Sequence, residues 1–196
     1  MAHRLLKGPR LKNLEVGGIV ARLERHFDVT PLTPPPGDNA AYAHYIQGQL
    51  AAVGQSDTVF IMVGFGLKAW RLQLKEGVRQ KILAREMHPA LAALDVAVLN
   101  YLVLGKGIGL DAKALDDQET CKYSSKLEEV IHMLASKEAR LAFVLNPTKI
   151  DQVREVAMNS LVMPRKSTYF YPKVMTGLLL NTILPGEEIV LPGEAG

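Results

Sequence analysis

Residues 163–173, with the sequence MPRKSTYFYPK, hold the densest group of side chains that could do chemistry. Three cations and four hydroxyl-bearing side chains fall within these eleven residues. They are Arg165, Lys166, Lys173, Ser167, Thr168, Tyr169 and Tyr171. Cations and hydroxyl donors are what a phosphate or carboxylate ligand needs. The segment therefore predicts a binding site for a small anion.

An extended backbone would divide these side chains between two faces. Alternation would place Lys166 and Thr168 on one face. The opposite face would carry Ser167, Tyr169, Tyr171 and Lys173. An ordinary edge strand explains the same pattern, with its cations in solvent and its aromatic rings in the core. Spacing alone favours the edge strand over the anion site.

A second candidate is the sequence LNPT that ends at Thr148. Asn146 followed by proline is typical of a helix start, with Pro147 at the first helical position. The free N–H groups of a helix that follows a strand form an anion site. A bound anion would also favour Lys149 beside the positive end of the helix dipole. Ordinary capping, with Asp151 supplying the compensating charge, explains the same residues.

The remaining chemistry-bearing residues favour structural roles. The sequence GKGIG at residues 105–109 lacks the G-x-x-x-x-G-K-[ST] pattern and follows a predicted helix, so we expect its glycines Gly105, Gly107 and Gly109 to end that helix. The five histidines are scattered without metal-ligand spacing, so no metal site is predicted. Cys121 has no redox or nucleophile motif around it. The acidic residues Asp116, Asp117 and Glu119 are typical of a solvated loop.

Composition limits the class of protein. The chain has 196 residues, of which 48% are hydrophobic and 22% charged, and a formal net charge of +3. This length is enough for one domain with a proper core, and the apolar content excludes intrinsic disorder. A single cysteine excludes a disulfide framework. The small excess of positive charge disfavours a dedicated nucleic-acid-binding protein.

The N-terminal sequence MAHRLLKGPR is basic but lacks the apolar core of a signal peptide. The most apolar stretch, residues 90–104, is interrupted by Asp95 and Asn100 and is shorter than the roughly 20 residues that cross a bilayer. It predicts a buried helix, and we expect a soluble, cytoplasmic protein with no membrane partner. The abrupt start at His3 predicts either a flexible tail or a piece of a longer protein.

The elements that would position these residues alternate irregularly between helix and strand. Helices are predicted near residues 13–27, 38–54, 78–87, 89–104, 124–138 and 147–159. Asp38 or Asn39 can cap the second of these helices, and Ser124 or Ser125 the fifth. Strands are predicted at residues 58–63, 69–74, 141–145, 166–171 and 178–183. The proline-rich residues 30–38 predict an extended connector.

The first two predicted strands form a hairpin around Gly64 and Gly66, with Trp70, Leu72 and Leu74 or their neighbours facing inward. One hairpin among irregularly ordered helices favours an α+β fold with a mixed or antiparallel sheet packed by several helices. We expect one domain over residues 1–196, with a frayed tail at residues 185–196.

Four strings of this sequence together resemble a known family. They are NPT at residues 146–148, VREVA at 153–157, MPRKSTYFYPK at 163–173 and TGL at 176–178. The HRL start and the glycine hairpin are similar too, so the resemblance covers nearly the whole chain; KSTYFYPK is its specific part. The chain resembles the C-terminal half of the bacterial and archaeal family known as domain of unknown function 1015.

The resemblance implies a longer protein and an activity. Family members are about twice as long, and their N-terminal half carries a Gly-His-His-Arg-type motif, similar to that of ParB-like proteins, which is absent here. A C-terminal fragment is therefore implied, with its own N-terminal half as a partner. Some relatives are linked to ATP-dependent phosphorylation of free serine, which implies ATP and Mg as cofactors of the full-length protein.

Three functions follow, in order of preference. The first is part of a cytoplasmic small-molecule phosphotransferase, because positioning and charge stabilisation carry most of phosphoryl transfer. Its phosphate or carboxylate ligand would be bound by Lys166, Ser167, Thr168, Tyr169, Tyr171, Lys173, Asn146 and Thr148. The second is a non-catalytic scaffold or homo-oligomerisation module with the KSTYFYPK strand at its interface. The third is a nucleic-acid-binding accessory domain, which the small net charge makes the least favoured.

Overall fold

The computed structural model of the chain describes residues 3–8, 11, 13–53 and 57–168. Within them lie six strands: β1 (His3–Leu6), β2 (Phe27–Leu32), β3 (Val59–Gly64), β4 (Lys68–Leu74), β5 (Cys121–Ser124) and β6 (Leu141–Leu145). The strands form one sheet in the order β2-β4-β3-β6-β1-β5. Each strand is antiparallel to its neighbours.

Helical segments of two kinds surround this sheet. The α-helices are α1 (Val16–Leu23), α2 (Asn39–Val53), α3 (Ala84–Glu86), α4 (Pro89–Ala92), α5 (Asp95–Val98), α6 (Ala112–Asp116), α7 (Leu127–Ala135) and α8 (Ile150–Met158). Two wider π-helical segments are π1 (Arg79–Leu83) and π2 (Leu99–Ile108). None of the described helices is long and apolar enough to span a membrane. Helices around an antiparallel sheet confirm the predicted α+β fold.

Apolar side chains cover both faces of the sheet. Leu6, Met62 and Phe143 belong to a first core, which α1 and π2 complete. Leu5 and Ile61 point the other way, into a second core built with α2 and α7. Successive residues of a strand alternate between faces, so the neighbours Leu5 and Leu6 supply one core each. The central strands are therefore buried on both sides.

Strand β1 lies inside the sheet, between β5 and β6. Leu5 and Leu6 are fully buried there. The expectation of a flexible tail at His3 is therefore wrong. Two successive leucines that fill two different cores hold this segment in place, because each buries its apolar surface.

The hairpin and the second helix agree with their local signals. Strands β3 and β4 pair antiparallel with Gly64 opposite Lys68, as predicted. Leu72 is buried in the first core, and Trp70 and Leu74 are partly buried against it, which confirms the predicted inward face. Helix α2 begins at Asn39. The carboxylate of Asp38 accepts a hydrogen bond from the Ala41 N–H at 2.8 Å.

The first predicted helix is shorter than the apolar spacing indicated. Helix α1 ends at Leu23, and Phe27 already belongs to strand β2. Strand β2 also takes the first residues of the predicted connector, including Pro31. Proline lacks an N–H but is tolerated here because β2 is an edge strand, paired only with β4 among the described strands.

The predicted buried helix at residues 89–104 is divided and extended. Helices α4 and α5 lead into π2, which continues past Gly105 and Gly107. It ends before Gly109, which has a φ of 89°. The expectation that all three glycines break the helix is therefore right only for Gly109. Gly107 is retained in the helix because α1 packs closely against it, and the Arg22 Nε donates to its carbonyl at 2.6 Å.

Strand β5 is not among the predicted strands, and it includes Ser124, one of the two serines (with Ser125) expected to cap the next helix. Helix α7 instead begins at Leu127. The Ser124 hydroxyl accepts from the Lys126 N–H at 3.1 Å and donates to the Glu129 carboxylate at 2.6 Å. Ser124 therefore joins the end of the strand to the first turn of the helix.

Candidate functional site

Two of the segments predicted from sequence meet at one end of the sheet, after β6. The Thr148 hydroxyl donates to the Ser167 carbonyl at 3.0 Å. Ser167 is buried, and its hydroxyl donates to the Pro164 carbonyl. Lys166 is exposed, whereas Asn146 and Thr168 are partly buried. We call residues 146–148 together with residues 166–168 the junction.

Arg4 on β1 contacts the junction, and the sequence did not single it out. It is fully buried, and its Nη1 lies 3.4 Å from the Lys166 carbonyl, to which it donates. Its guanidinium carbon lies 4.7 Å from the centre of the Tyr123 ring. Burial lowers the pKa of Arg4, opposed by the nearby Tyr123 and Cys121. The guanidinium thus fixes the chain around Lys166 to the sheet.

The backbone of the junction differs from the predicted strand at residues 166–171. Lys166 lies in a turn with a φ of 57°, and Ser167 and Thr168 are in irregular backbone. The expected alternation of faces is therefore wrong for these three residues. Tyr169, Tyr171 and Lys173 lie outside the described residues, as do the predicted strand at 178–183 and the tail at 185–196.

The helix that follows the junction starts later than predicted. Helix α8 begins at Ile150, so the expectation of Pro147 as its first residue is wrong. The Lys149 N–H donates to the Gln152 side-chain oxygen at 3.1 Å, which caps the first turn. The residues from Asn146 onward therefore link β6 to the helix and are not its first turn.

A pocket of about 640 Å³ lies at the opposite end of the sheet. It is formed by the end of β1, the β3–β4 turn and the loop between α7 and β6. Its lining residues are Lys7, Gly8, Gly64, Phe65, Gly66, Leu67, Leu134, Lys137, Glu138, Ala139 and Arg140. We call it the cationic pocket. Its volume falls in the range of pockets that bind small molecules.

Three of the lining residues are cations, and one is a carboxylate. Lys7 pairs with the Glu119 carboxylate at 3.3 Å. The Glu138 carboxylate accepts from the Ser136 hydroxyl at 2.8 Å. Among the described residues, Lys137 and Arg140 form no salt bridge. With three cations against the one carboxylate of Glu138, the described lining of the pocket carries a net positive charge.

The β3–β4 turn forms one wall of this pocket with an unusual backbone. Phe65, Gly66 and Leu67 have φ values of 51°, 80° and 62°. Phenylalanine and leucine rarely adopt positive φ, and such strain persists only where neighbours hold it. The Tyr42 hydroxyl donates to the Leu67 carbonyl at 2.6 Å, and Phe65 packs edge-on against Trp70 at 6.5 Å between ring centres. The turn is thus held in place before any ligand arrives.

Gly64 allows the two walls to approach each other. A Cβ at this position would lie 2.7 Å from the Arg140 carbonyl and 2.9 Å from the Leu141 side chain. Arg140 also lies with its guanidinium 5.9 Å from the centre of the Phe65 ring. The position of a pocket cation is therefore tied to the geometry of the turn.

A second polar cluster, away from both sites, has a structural role. Arg79 pairs with Asp95 at 3.3 Å, and the Thr58 hydroxyl donates to the same carboxylate at 2.7 Å. Arg79 also donates to the Ala92 carbonyl. These contacts join π1 to α4 and α5. The charges of Arg79 and Asp95 are therefore paired with each other.

Metal chemistry has no ready ligand set in the part of the chain that the structure describes. No group of three or more histidine, cysteine or acidic side chains there could hold an ion. Cys121 is buried, and burial raises the pKa of its thiol. The thiol therefore stays protonated at neutral pH.

No protein-family model, curated protein or solved structure matches the chain. The resemblance to domain of unknown function 1015 stays a prediction, and function is inferred from the two sites themselves.

Proposed function

We propose that this chain binds a small organic anion, a phosphate monoester or a carboxylate, in the cationic pocket. The observation that carries the proposal is the pair Lys137 and Arg140, which form no salt bridge among the described residues. The proposal keeps the class of ligand that the sequence predicted. It moves the binding site from the junction to the opposite end of the sheet.

The chemistry of the pocket suits an anion with an organic body. A guanidinium offers two parallel N–H groups to a phosphate or carboxylate, and an ammonium adds a compact charge. Phe65, Leu67 and Leu134 provide apolar surface beside these cations. A charged group and a hydrophobic body could therefore be bound at the same time.

The junction supports a ligand less well, because the hydroxyl protons of Thr148 and Ser167 are already donated. Thr148 donates to the Ser167 carbonyl, and Ser167 donates to the Pro164 carbonyl. Among the described residues predicted to bind the ligand, Lys166 is the one exposed charge. We infer that these contacts mainly hold residues 163–168 on the sheet.

Small-molecule phosphoryl transfer is the enzymatic setting we propose for this binding site. Cations that position a phosphate and neutralise its charge supply much of what such a reaction needs. The resemblance to a family linked with phosphorylation of free serine points to the same chemistry and implies ATP and Mg as cofactors of that reaction. O-phosphoserine and ATP are therefore the first probes to use.

Titration calorimetry on the whole chain tests the proposal. O-phosphoserine, ATP and inorganic phosphate are each titrated at low ionic strength, and we expect at least one of them to bind. Lys137→Ala and Arg140→Ala should each weaken that binding about tenfold or more, because each removes a charge-assisted hydrogen bond. Both side chains are exposed, so neither substitution opens a cavity.

Two further variants locate the site. Arg154→Ala removes an exposed cation from α8 and should leave affinity unchanged. Lys166→Ala tests the junction. If Lys166→Ala abolishes binding while Lys137→Ala and Arg140→Ala keep it, the ligand binds at the junction and not in the cationic pocket. Absence of binding by all three probes to the unmodified chain would overturn the proposed function.

A further inference from the structure

A second cavity of about 460 Å³ lies on the first-core side of the molecule, between π2 and α6. Most of its lining is apolar: Met87, Leu91, Leu110, Leu115 and Pro164. We call it the apolar groove. Binding sites for small molecules combine such a lining with a few placed polar groups.

The polar groups of the apolar groove gather on π2. They are Asn100, Tyr101 and Lys106, and no described carboxylate lines the groove. Lys106 is exposed, with its Nζ 4.7 Å from the centre of the Tyr101 ring. The groove therefore has an apolar interior and one cation at its margin.

The acidic side chains at the two ends of α6 are already engaged. The Asp111 carboxylate accepts from the Ala114 N–H at 2.7 Å, which caps the helix. Asp116 pairs with Arg165 at 2.9 Å. Neither acid is paired with Lys106 among the described residues. The ammonium group of Lys106 is therefore accessible to a ligand in the groove.

The π-helical wall shapes the groove. Gly105 lines it, and a Cβ there would lie 3.2 Å from the Asn100 carbonyl. Because glycine has no Cβ, residue 105 can approach the Asn100 carbonyl closely within π2, and no side chain from this position fills the cavity. π-Helical turns occur frequently at functional sites.

We propose that the apolar groove binds a small amphipathic anion, with its hydrocarbon or aromatic body on the apolar wall and its single negative charge at Lys106. Charge complementarity selects this occupant, because Lys106 is the one charged residue among the described lining residues. The inference is independent of the proposed function, since the groove and the cationic pocket share none of their described lining residues.

Decanoate and the uncharged decanol are the probes, each displacing anilinonaphthalene sulfonate from the whole chain in a fluorescence assay. We expect both to displace the dye, with decanoate binding more tightly. Lys106→Gln should weaken decanoate about tenfold, because it removes one charge-assisted contact, and should leave decanol unchanged.

Two variants control for charge and for location. Lys113→Gln removes an exposed lysine of α6 that does not line the groove, and should leave both probes unaffected. Ala112→Trp places a large ring at an exposed position of the lining, where folding tolerates it, and should reduce binding of both probes.

Three results would each overturn the inference: no displacement by decanoate, equal weakening by Lys113→Gln and Lys106→Gln, or unchanged binding in Ala112→Trp. Occupation of the groove by another part of the chain would give the first of these results. Decanoate is also a carboxylate of the class proposed for the cationic pocket, so the assay is repeated in the double variant Lys137→Ala/Arg140→Ala. The tenfold loss on Lys106→Gln should persist there, and its absence in that background would overturn the inference without touching the proposed function.

Discussion

His3 shows how position in the fold changes the chemistry of a single residue. Only 8% of it is exposed, and its Nδ1 accepts a hydrogen bond from the Leu145 N–H at 3.4 Å. Burial, helped by the charge of Arg4, lowers the pKa of the ring to about 4. The imidazole is therefore neutral in the folded protein at pH values where the unfolded chain carries a proton on it.

This difference predicts a loss of stability in mild acid. The unfolded chain binds a proton at His3 near pH 6.5, while the folded protein binds it only near pH 4. Between these values the unfolded state holds more protons, so the free energy of unfolding falls as the pH falls, by up to ~3 kcal/mol. The free energy of unfolding is measured by urea denaturation, followed by circular dichroism, at a series of pH values.

The variant His3→Asn keeps a hydrogen-bond acceptor but does not titrate, so its stability should depend less on pH in this window. His44→Asn, at an exposed position of α2, should keep the dependence of the unmodified chain. Equal losses in His3→Asn and in the unmodified chain would show that His3 is not the group responsible.

The sequence singled out residues of the junction but not their contacts, and it singled out no residue of the cationic pocket as a ligand-binding residue. Thr148 and Ser167 were predicted at separate sites, and their hydrogen bond joins residues that spacing cannot relate. Lys137 and Arg140 follow α7 as ordinary surface cations would, without a motif. Folding brings them to the β3–β4 turn, and this contact between distant parts of the chain leaves no local signal.

At the scale of elements, local signals predicted what local contacts decide. The Asp38 cap and the Gly64 turn are set by neighbours in sequence, and both agree with the structure. Helix π2 differs from its local signal. Glycine lowers helix propensity, but packing keeps Gly105 and Gly107 within the helix. A tertiary contact between π2 and α1 therefore overrides the signal of Gly107.

That contact makes Gly107 intolerant of a larger side chain. A Cβ there would lie 2.6 Å from the Leu23 Cδ2, and Leu23 is itself buried. Gly107→Ala should lower the free energy of unfolding by about 1–3 kcal/mol, since an overpacked core must shift. Chemical denaturation measures the change.

Gly48→Ala is the matched control, because Gly48 lies in α2 with no other atom within 4 Å of an added Cβ. Alanine should stabilise the protein there by about 0.5–1 kcal/mol through its better helix propensity. Stabilisation by both substitutions would contradict the close approach of α1 to π2.

At the scale of the whole molecule, one sheet serves two cores. Strands β1, β3 and β6 each send alternate side chains to the first and the second core. Trp70, the single tryptophan, packs against the first core. Ile131 of α7 is fully buried in the second core, across the sheet from that ring. Shared strands couple the two layers, so loss of one core removes the support of the other.

Because the two cores are coupled, a destabilising substitution in the second core should lower the unfolding midpoint measured by Trp70 fluorescence. Ile131→Ala should cost about 2–5 kcal/mol through lost burial and a residual cavity. The denaturation midpoints of Trp70 fluorescence and far-ultraviolet circular dichroism should fall together, as expected for one cooperative transition. Ile150→Ala, at a position 71% exposed, should shift neither midpoint by more than about 0.5 kcal/mol in equivalent free energy. An unmoved fluorescence midpoint beside a lowered circular-dichroism midpoint would show that the layers unfold separately, which a sheet with common strands does not permit.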